Sequence, residues 1–270
     1  MPSLDLGDAV INYEQNGRGP DIFWVPGGDS TVRDYDGQYP FFAPRFRNTA
    51  VDPRGAGLTV VRKAPPWTIK DMAADCAAVI RAVCQPPVFV CGLSMGGLIT
   101  QQIAIDYPEL VRAAIPMGTT AKPTGYCRDF MVADVEFRKA GGRMSPALAA
   151  THYGALLYPA EVLGDEVLWP RIYQAMLEAF TARDSEHLIA QWQACIDFDC
   201  EEGLRTCPVP MHVIAFSEDL QTPPSYGRRV AELAPKGHFH LLQGLGHASM
   251  MMHREREVNE AILAILQGYV

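Results

Sequence analysis

Ser94 stands in the stretch Val88-Phe89-Val90-Cys91-Gly92-Leu93-Ser94-Met95-Gly96-Gly97, with a glycine two residues to either side. The apolar run before it reads as a buried strand and the residues after it as a helix, so Ser94 falls at the apex of a sharp strand-to-helix turn. Such a turn brings the backbone two residues before and two after the apex close together, and only small residues fit there. The turn lifts the hydroxyl clear of the sheet edge. It also aims the N-terminal N–H groups of the helix at whatever the oxygen becomes bonded to. The chemistry on offer is nucleophilic attack by a serine.

A serine hydroxyl is a weak nucleophile near neutral pH. It needs a base to take its proton and a third group to hold that base in one tautomer. The chain has seven histidines. His212 lies inside an expected strand, His152 and His187 lie in a helical region, His238 and His240 flank the last expected strand, and His253 opens the last helix. His247 differs, because it follows Gln243-Gly244-Leu245-Gly246 directly past the end of the last strand. Ligands of parallel sheets bind at that carboxyl edge, so His247 is the expected base. The orienting acid should follow an earlier strand at the same edge, where Glu218 and Asp219 stand side by side after Met211–Phe216. An oxyanion formed on Ser94 needs two N–H donors, and one should be that of Met95.

The elements that must position these groups alternate. Leu4 to Gly7 and Ala9 to Glu14 read as two strands joined by a tight Gly7-Asp8 turn, and Asn16-Gly17-Arg18-Gly19-Pro20 as a loop. Asp21 to Val25 and Phe46 to Val51 read as buried strands. Thr68 can cap a helix on which Ile69, Met72, Ala73, Cys76, Val79, Ile80 and Val83 recur at helical spacing. The Ser94 strand follows, then a helix that Pro108 stops, then a strand from Val111 to Met117. Strands this apolar have no solvent face, which predicts a mostly parallel sheet with helices on both faces. The rhythm then lapses for roughly 80 residues, too long for a bare loop. It resumes with strands near 208–215 and 239–242, a helix between them, and a closing helix through Val258, Ile262, Ile265 and Leu266.

Composition narrows the function. The 270 residues are 48% hydrophobic with a formal charge of −8, an acidic balance that attracts neither nucleic acid nor an anionic membrane surface. No run of about 18 apolar residues predicts a transmembrane helix. The first residues carry no basic or apolar leader, and a cytoplasmic location is the default expectation. Seven cysteines with no Cys-x-x-Cys pair argue against a disulfide framework or a zinc site.

Five motifs together carry a resemblance: Pro26-Gly27-Gly28, Asp52-Pro53-Arg54-Gly55-Ala56-Gly57, Gly92-Leu93-Ser94-Met95-Gly96-Gly97, Glu218-Asp219-Leu220-Gln221-Thr222-Pro223 and Gly244-Leu245-Gly246-His247. They span nearly the whole chain in the order serine, aspartate, histidine. The chain resembles the α/β-hydrolase superfamily, close to its cap-bearing esterases and 3-oxoadipate enol-lactonase-like members. The resemblance implies an eight-stranded, mostly parallel sheet, with a core over 1–121 and 206–270 and a helical cap over 122–205. It selects Asp219 over Glu218 as the acid and gives the second oxyanion donor to Gly28. Pro26-Gly27 replaces the family's usual His-Gly, and Asp29 puts a carboxylate beside the oxyanion site. Capping of a helix start is the expected role of Asp29. If it faces the cavity instead, it could position water or a polar substrate group, and Asp29 and Ser30 are the candidate substrate contacts. Asp52-Pro53-Arg54-Gly55 is expected to tie loops at the sheet edge. Each aromatic of the insertion is expected to be cap core.

The implied activity is hydrolysis of a carboxylic ester or lactone of a small, largely apolar substrate, with no cofactor and no metal. The same triad supports carbon–carbon bond hydrolysis, aminopeptidase action and perhydrolysis. From another class, a ligand sensor with vestigial turnover is the competing reading.

Overall fold

A computed structural model describes residues 2–181 and 185–270. The chain runs β1 (Ser3–Asp5), β2 (Ala9–Gly17), β3 (Asp21–Val25), α1 (Tyr39–Phe42), β4 (Arg47–Val51), β5 (Val60–Val61), α2 (Ile69–Val83), β6 (Val88–Leu93), α3 (Met95–Asp106) and β7 (Val111–Met117). It continues through α4 (Gly125–Lys139), α5 (Pro146–Leu157), α6 (Ala160–Leu163), α7 (Leu168–Thr181), α8 (Ser185–Ile196) and α9 (Glu201–Thr206). It closes with β8 (Met211–Phe216), α10 (Pro224–Leu233), β9 (Gly237–Leu242) and α11 (Glu255–Gln267).

The sheet order is β1-β2-β4-β3-β6-β7-β8-β9, with β6 flanked by β3 and β7. From β4 to β9 every neighbour is parallel, while β2 runs antiparallel to both β1 and β4. That path has the eight strands expected, and the two-residue β5 adds to it by pairing with β2. β2 also continues to Gly17, where a loop was expected from Asn16, because its last residues pair with the start of β4.

Period-two alternation explains why the central strands are apolar throughout. Phe23, Val25, Val88 and Val90 enter one core with α2, α3 and α10, while Ile22, Trp24, Phe89 and Cys91 enter another with α1 and α11. A third cluster joins Ala150, Tyr153, Ile172 and Met176 of α5 and α7 to Ala248. Helix α2 starts where expected. Thr68 Oγ1 accepts from the Asp71 N–H (3.1 Å), and the Asp71 carboxylate accepts from the Thr68 N–H (2.8 Å).

The Asp52-Pro53-Arg54-Gly55 loop ties the sheet edge together, as expected. Asp52 accepts from the N–H groups of Val32 and Leu58 and from Asn12 Nδ2, each within 2.9 Å. The buried Arg54 forks onto Asp75 of α2 (2.6 and 2.9 Å) and reaches Asp8 at 3.0 Å. Burial opposes the Arg54 charge, but the hydrogen bonds it donates to Asp75 and Asp8 outweigh that and raise its pKa. Arg54→Met strands Asp75 as a buried, unpaired carboxylate, which typically costs about 3–5 kcal/mol. At about 2–4 °C per kcal/mol for a chain of this size, the melting temperature should fall by roughly 6–20 °C. Much of that loss should return in the double variant Arg54→Met/Asp75→Leu, which removes the orphaned charge.

A second polar cluster lies at the β9 edge. His212 of β8 stacks on His238 and His240 of β9, with Nδ1 3.2 Å from His240 Nε2 and Nε2 2.7 Å from Tyr269 Oη. Burial first, then the neighbouring histidines, push the pKa of His212 down to about 4. The unfolded chain therefore takes up this proton before the folded one. Stability present above the ordinary histidine pKa of about 6.5 is lost as pH falls toward 4. In thermal melts from pH 8 to pH 4, His212→Phe should decline less steeply than the parent below pH 6.5; identical slopes would rule the contribution out.

Candidate active site

β6 ends at Leu93 and α3 begins at Met95, which leaves Ser94 alone at the joint with φ 57° and ψ −119°. A non-glycine residue held there costs about 1–3 kcal/mol. Neighbouring structure enforces it. The Ser94 N–H donates to the Met117 carbonyl of β7 (2.9 Å), and the Ser94 carbonyl accepts from the Gly97 N–H (2.8 Å) and Thr119 Oγ1 (3.0 Å). The flanking glycines are a spatial necessity. A Cβ on Gly92 would run into the Gly96 carbonyl oxygen, and one on Gly96 into that of Val25. As the first residue of α3, Met95 contributes one of the N–H groups that a helix leaves without an internal acceptor.

β8 and β9 are parallel neighbours in register from Met211 to Phe216, so the loops after them arrive side by side. Asp219 and His247 meet there, with His247 Nδ1 2.7 Å from Asp219 Oδ2 and both residues buried. Asp219 Oδ1 accepts from the N–H groups of Gln221 (2.9 Å) and Thr222 (2.7 Å), and Oδ2 also accepts from Thr222 Oγ1 (2.8 Å). Gly118, at φ 48°, backs the pair so closely that a Cβ would stand 3.2 Å from Asp219 Oδ2. Glu218 is exposed, and its N–H donates to the Leu245 carbonyl (2.9 Å), joining the two loops.

The Pro26-Gly27-Gly28-Asp29-Ser30 loop follows β3 at the same edge. Helix α8 grips it. Gln191 accepts from the Asp29 N–H (2.7 Å) and donates to the Arg54 carbonyl (2.8 Å), linking this loop to the Arg54 loop. The Trp192 ring lies so close to Gly28 that a Cβ there would stand 2.5 Å from the indole. Trp192 is itself fixed by Nε1 donating to Asp134 (2.9 Å), which also holds Arg138 (2.8 Å). Asp29 does not cap a helix. It takes φ 57°, a region that Asp tolerates better than most residues, and Thr31 caps the short 3₁₀ helix over Val32–Tyr35.

Ser94 and His247 open onto one cavity of about 260 Å³. Tyr153, Leu157, Ile172 and Met176 give it an apolar wall, and Asp29, Ser30 and Asp34 a polar end. Burial pushes the carboxyl of Asp34 up to about 6, against a hydrogen bond from Ser30 and with the negative Asp29 adding to the rise. A second cavity of about 30 Å³ also touches Ser94. Among the described residues no three His, Cys, Asp or Glu side chains are grouped to hold a metal ion, and no helix is long and apolar enough to cross a membrane.

The model of the alpha/beta hydrolase family matches residues 22–261. The chain belongs to that family. Over 255 residues it is 29% identical to a Mycobacterium tuberculosis protein whose name gives it provisionally as a non-heme bromoperoxidase, BpoC, covering 94% of this chain and 96% of that one. The solved structure of Rv0554 from Mycobacterium tuberculosis superposes with a TM-score of 0.90 at 28% identity, covering 97% and 94% of the two chains. The enol-lactonase from Burkholderia xenovorans LB400 superposes with a TM-score of 0.87 at 20% identity, covering 98% and 100%. An alpha/beta hydrolase is an enzyme whose chemistry is hydrolysis, and the sheet edge described above is where such a fold binds its ligand.

In this hydrolase the fold brings Ser94, Asp219, His247, Gly28, Met95, Asp29 and Ser30 to one edge of the sheet. Thr222 has no expected role from the sequence, although Asp-x-x-Thr after a strand is a side-chain-to-backbone turn signal. Gln191 and Trp192 carry no local signal, because Gln191 meets the loop from 162 residues away. Tyr153, Tyr158, Phe180 and Trp192 line the large cavity, so being core to the insertion does not exclude them from the site.

Proposed function

We propose that this alpha/beta hydrolase cleaves a carboxylic ester or lactone of a small, largely apolar substrate through a Ser94–His247–Asp219 triad and an acyl-enzyme. The observation that carries the reading is the 2.7 Å contact of His247 Nδ1 with a fully hydrogen-bonded Asp219, beside a cavity that Ser94 also lines. Asp219 holds the Nδ1 proton and leaves Nε2 as the free acceptor. His247 takes the proton of Ser94 Oγ as that oxygen attacks the substrate carbonyl. The N–H groups of Met95 and Gly28 receive the developing oxyanion. His247 then gives its proton to the leaving oxygen, and water cleaves the acyl-enzyme by the same route in reverse. Residues 122–205 serve as the cap, supplying the apolar wall through α5 and α7.

A fluorophosphonate probe should label Ser94 and no other residue, and p-nitrophenyl acetate should turn over continuously at a catalytic rate. An unlabelled Ser94, or an acetate burst with no turnover after it, overturns the hydrolase reading in favour of a ligand sensor. The name of the BpoC relative favours one variation on the same acyl-enzyme, with hydrogen peroxide replacing water as the attacking species and releasing a peracid. Peracid formation from an acetate ester and hydrogen peroxide, lost when Ser94 is blocked, is the mark of that variation.

A further inference from the structure

Ser94, Trp192 and Gln221 line both the cavity of about 260 Å³ and the cavity of about 30 Å³, so the two spaces share the nucleophile and the indole as parts of their walls. They differ in more than size. The small space is walled by apolar and neutral groups, among them Met95, Leu98, Cys127, Phe130 and Met131. His247 lines the large space and not the small one. Trp192 has little freedom to yield. It is buried, its indole N–H is committed to Asp134, Arg138 holds that carboxylate, and its ring edge rests on Gly28.

Resting on the ester-hydrolase reading, we propose that Trp192 divides the site into an acyl compartment and a leaving-group compartment, and that the substrates are esters of a very short acid with a bulkier alcohol. The assignment of sides follows from proton delivery. The leaving oxygen must lie within reach of the histidine that protonates it, so the alcohol portion occupies the space that His247 lines. The acyl chain is left with the other. A site needs about 10–15 Å³ of such space per water-sized group, so about 30 Å³ admits a methyl or an ethyl and little more. The large space takes an aromatic or branched alkyl alcohol along its apolar wall. Its polar end at Ser30 and Asp34 meets a hydroxyl or amine carried by that alcohol.

Two ester series test the division. In the first, p-nitrophenol carries acyl chains of two to eight carbons; in the second, acetate is joined to alcohols of two to eight carbons. The acyl series should fall steeply, by at least about tenfold in kcat/KM from acetate to hexanoate, since a filled apolar pocket discriminates by roughly 10-fold or more per misfitting group. The alcohol series should stay flat or rise. Trp192→Ala should move the acyl optimum to six or more carbons. Met131→Ala, which enlarges the small space without touching Gly28, should move it in the same direction by less. A flat acyl series in the native enzyme, or a steep alcohol series, overturns the division while leaving ester hydrolysis standing. Unchanged acyl profiles in both variants overturn the role of Trp192. Turnover of neither series overturns ester hydrolysis and this assignment together.

Discussion

Ser94→Ala is expected to lower kcat toward p-nitrophenyl acetate by about 10⁶-fold, the loss typical when the nucleophile of a serine triad is removed. What survives should be the roughly 10³–10⁴-fold advantage over water that an intact oxyanion hole and binding site provide on their own. The fold should be unaffected, because alanine keeps the Cβ and so keeps the same backbone at φ 57°. Ser94→Gly makes the complementary case. It should be equally inactive, yet more stable, because glycine adopts that backbone without the strain of about 1–3 kcal/mol. A serine placed there for packing would show the reverse, with activity surviving and stability falling. Ser94→Ala retaining more than a hundredth of native turnover sinks the nucleophile assignment.

The elbow was legible in the sequence because its constraint is local. Gly92 and Gly96 lie two residues from Ser94; the Gly96 carbonyl that the same turn brings round leaves no room for a side chain at Gly92, while Gly96 itself abuts the Val25 carbonyl of the neighbouring strand β3. His247 and the Glu218–Asp219 pair were legible for a related reason: strand ends of a parallel sheet collect at one edge, so a polar residue just past a strand already has an address, although that argument alone does not choose between the two carboxylates. The parts that escaped depend on approach across long stretches of chain. Nothing near Gly28 announces that a tryptophan 164 positions later rests on it, since Gly28 and Trp192 meet only once α8 docks. The partners of Arg54 were hidden in the same way, because Asp75 lies on the inner face of a helix whose spacing reveals only that the face is buried. Asp29 looks like a helix cap in the sequence because a turn residue of that type serves both purposes, whereas Thr31 holds the cap position in the structure. The choice rests on a positive φ that sequence does not display.

Asp219→Asn is expected to cost about 10⁴-fold in kcat, the loss seen when a triad acid becomes an amide and the imidazole takes the wrong tautomer. The hydrogen bonds around Asp219 leave the amide no choice of orientation. The position of Oδ1 faces two backbone donors, the N–H groups of Gln221 and Thr222, so the amide oxygen must go there. The amide NH₂ then takes the place of Oδ2 and points at His247 Nδ1, 2.7 Å away in the native enzyme. A donor in that place makes Nδ1 the acceptor and puts the ring proton on Nε2. The nitrogen that should receive the Ser94 proton is then already occupied. Thr222 can turn its hydroxyl to accept from the amide, so the fold should keep its packing and the loss should fall on kcat. Glu218→Gln, one residue away but exposed, should leave kcat within about twofold, as surface substitutions away from such networks do. Loss in the Glu218 variant with retention in the Asp219 variant would transfer the role to the neighbouring carboxylate, and a fall of less than tenfold for Asp219→Asn would remove tautomer control from the mechanism.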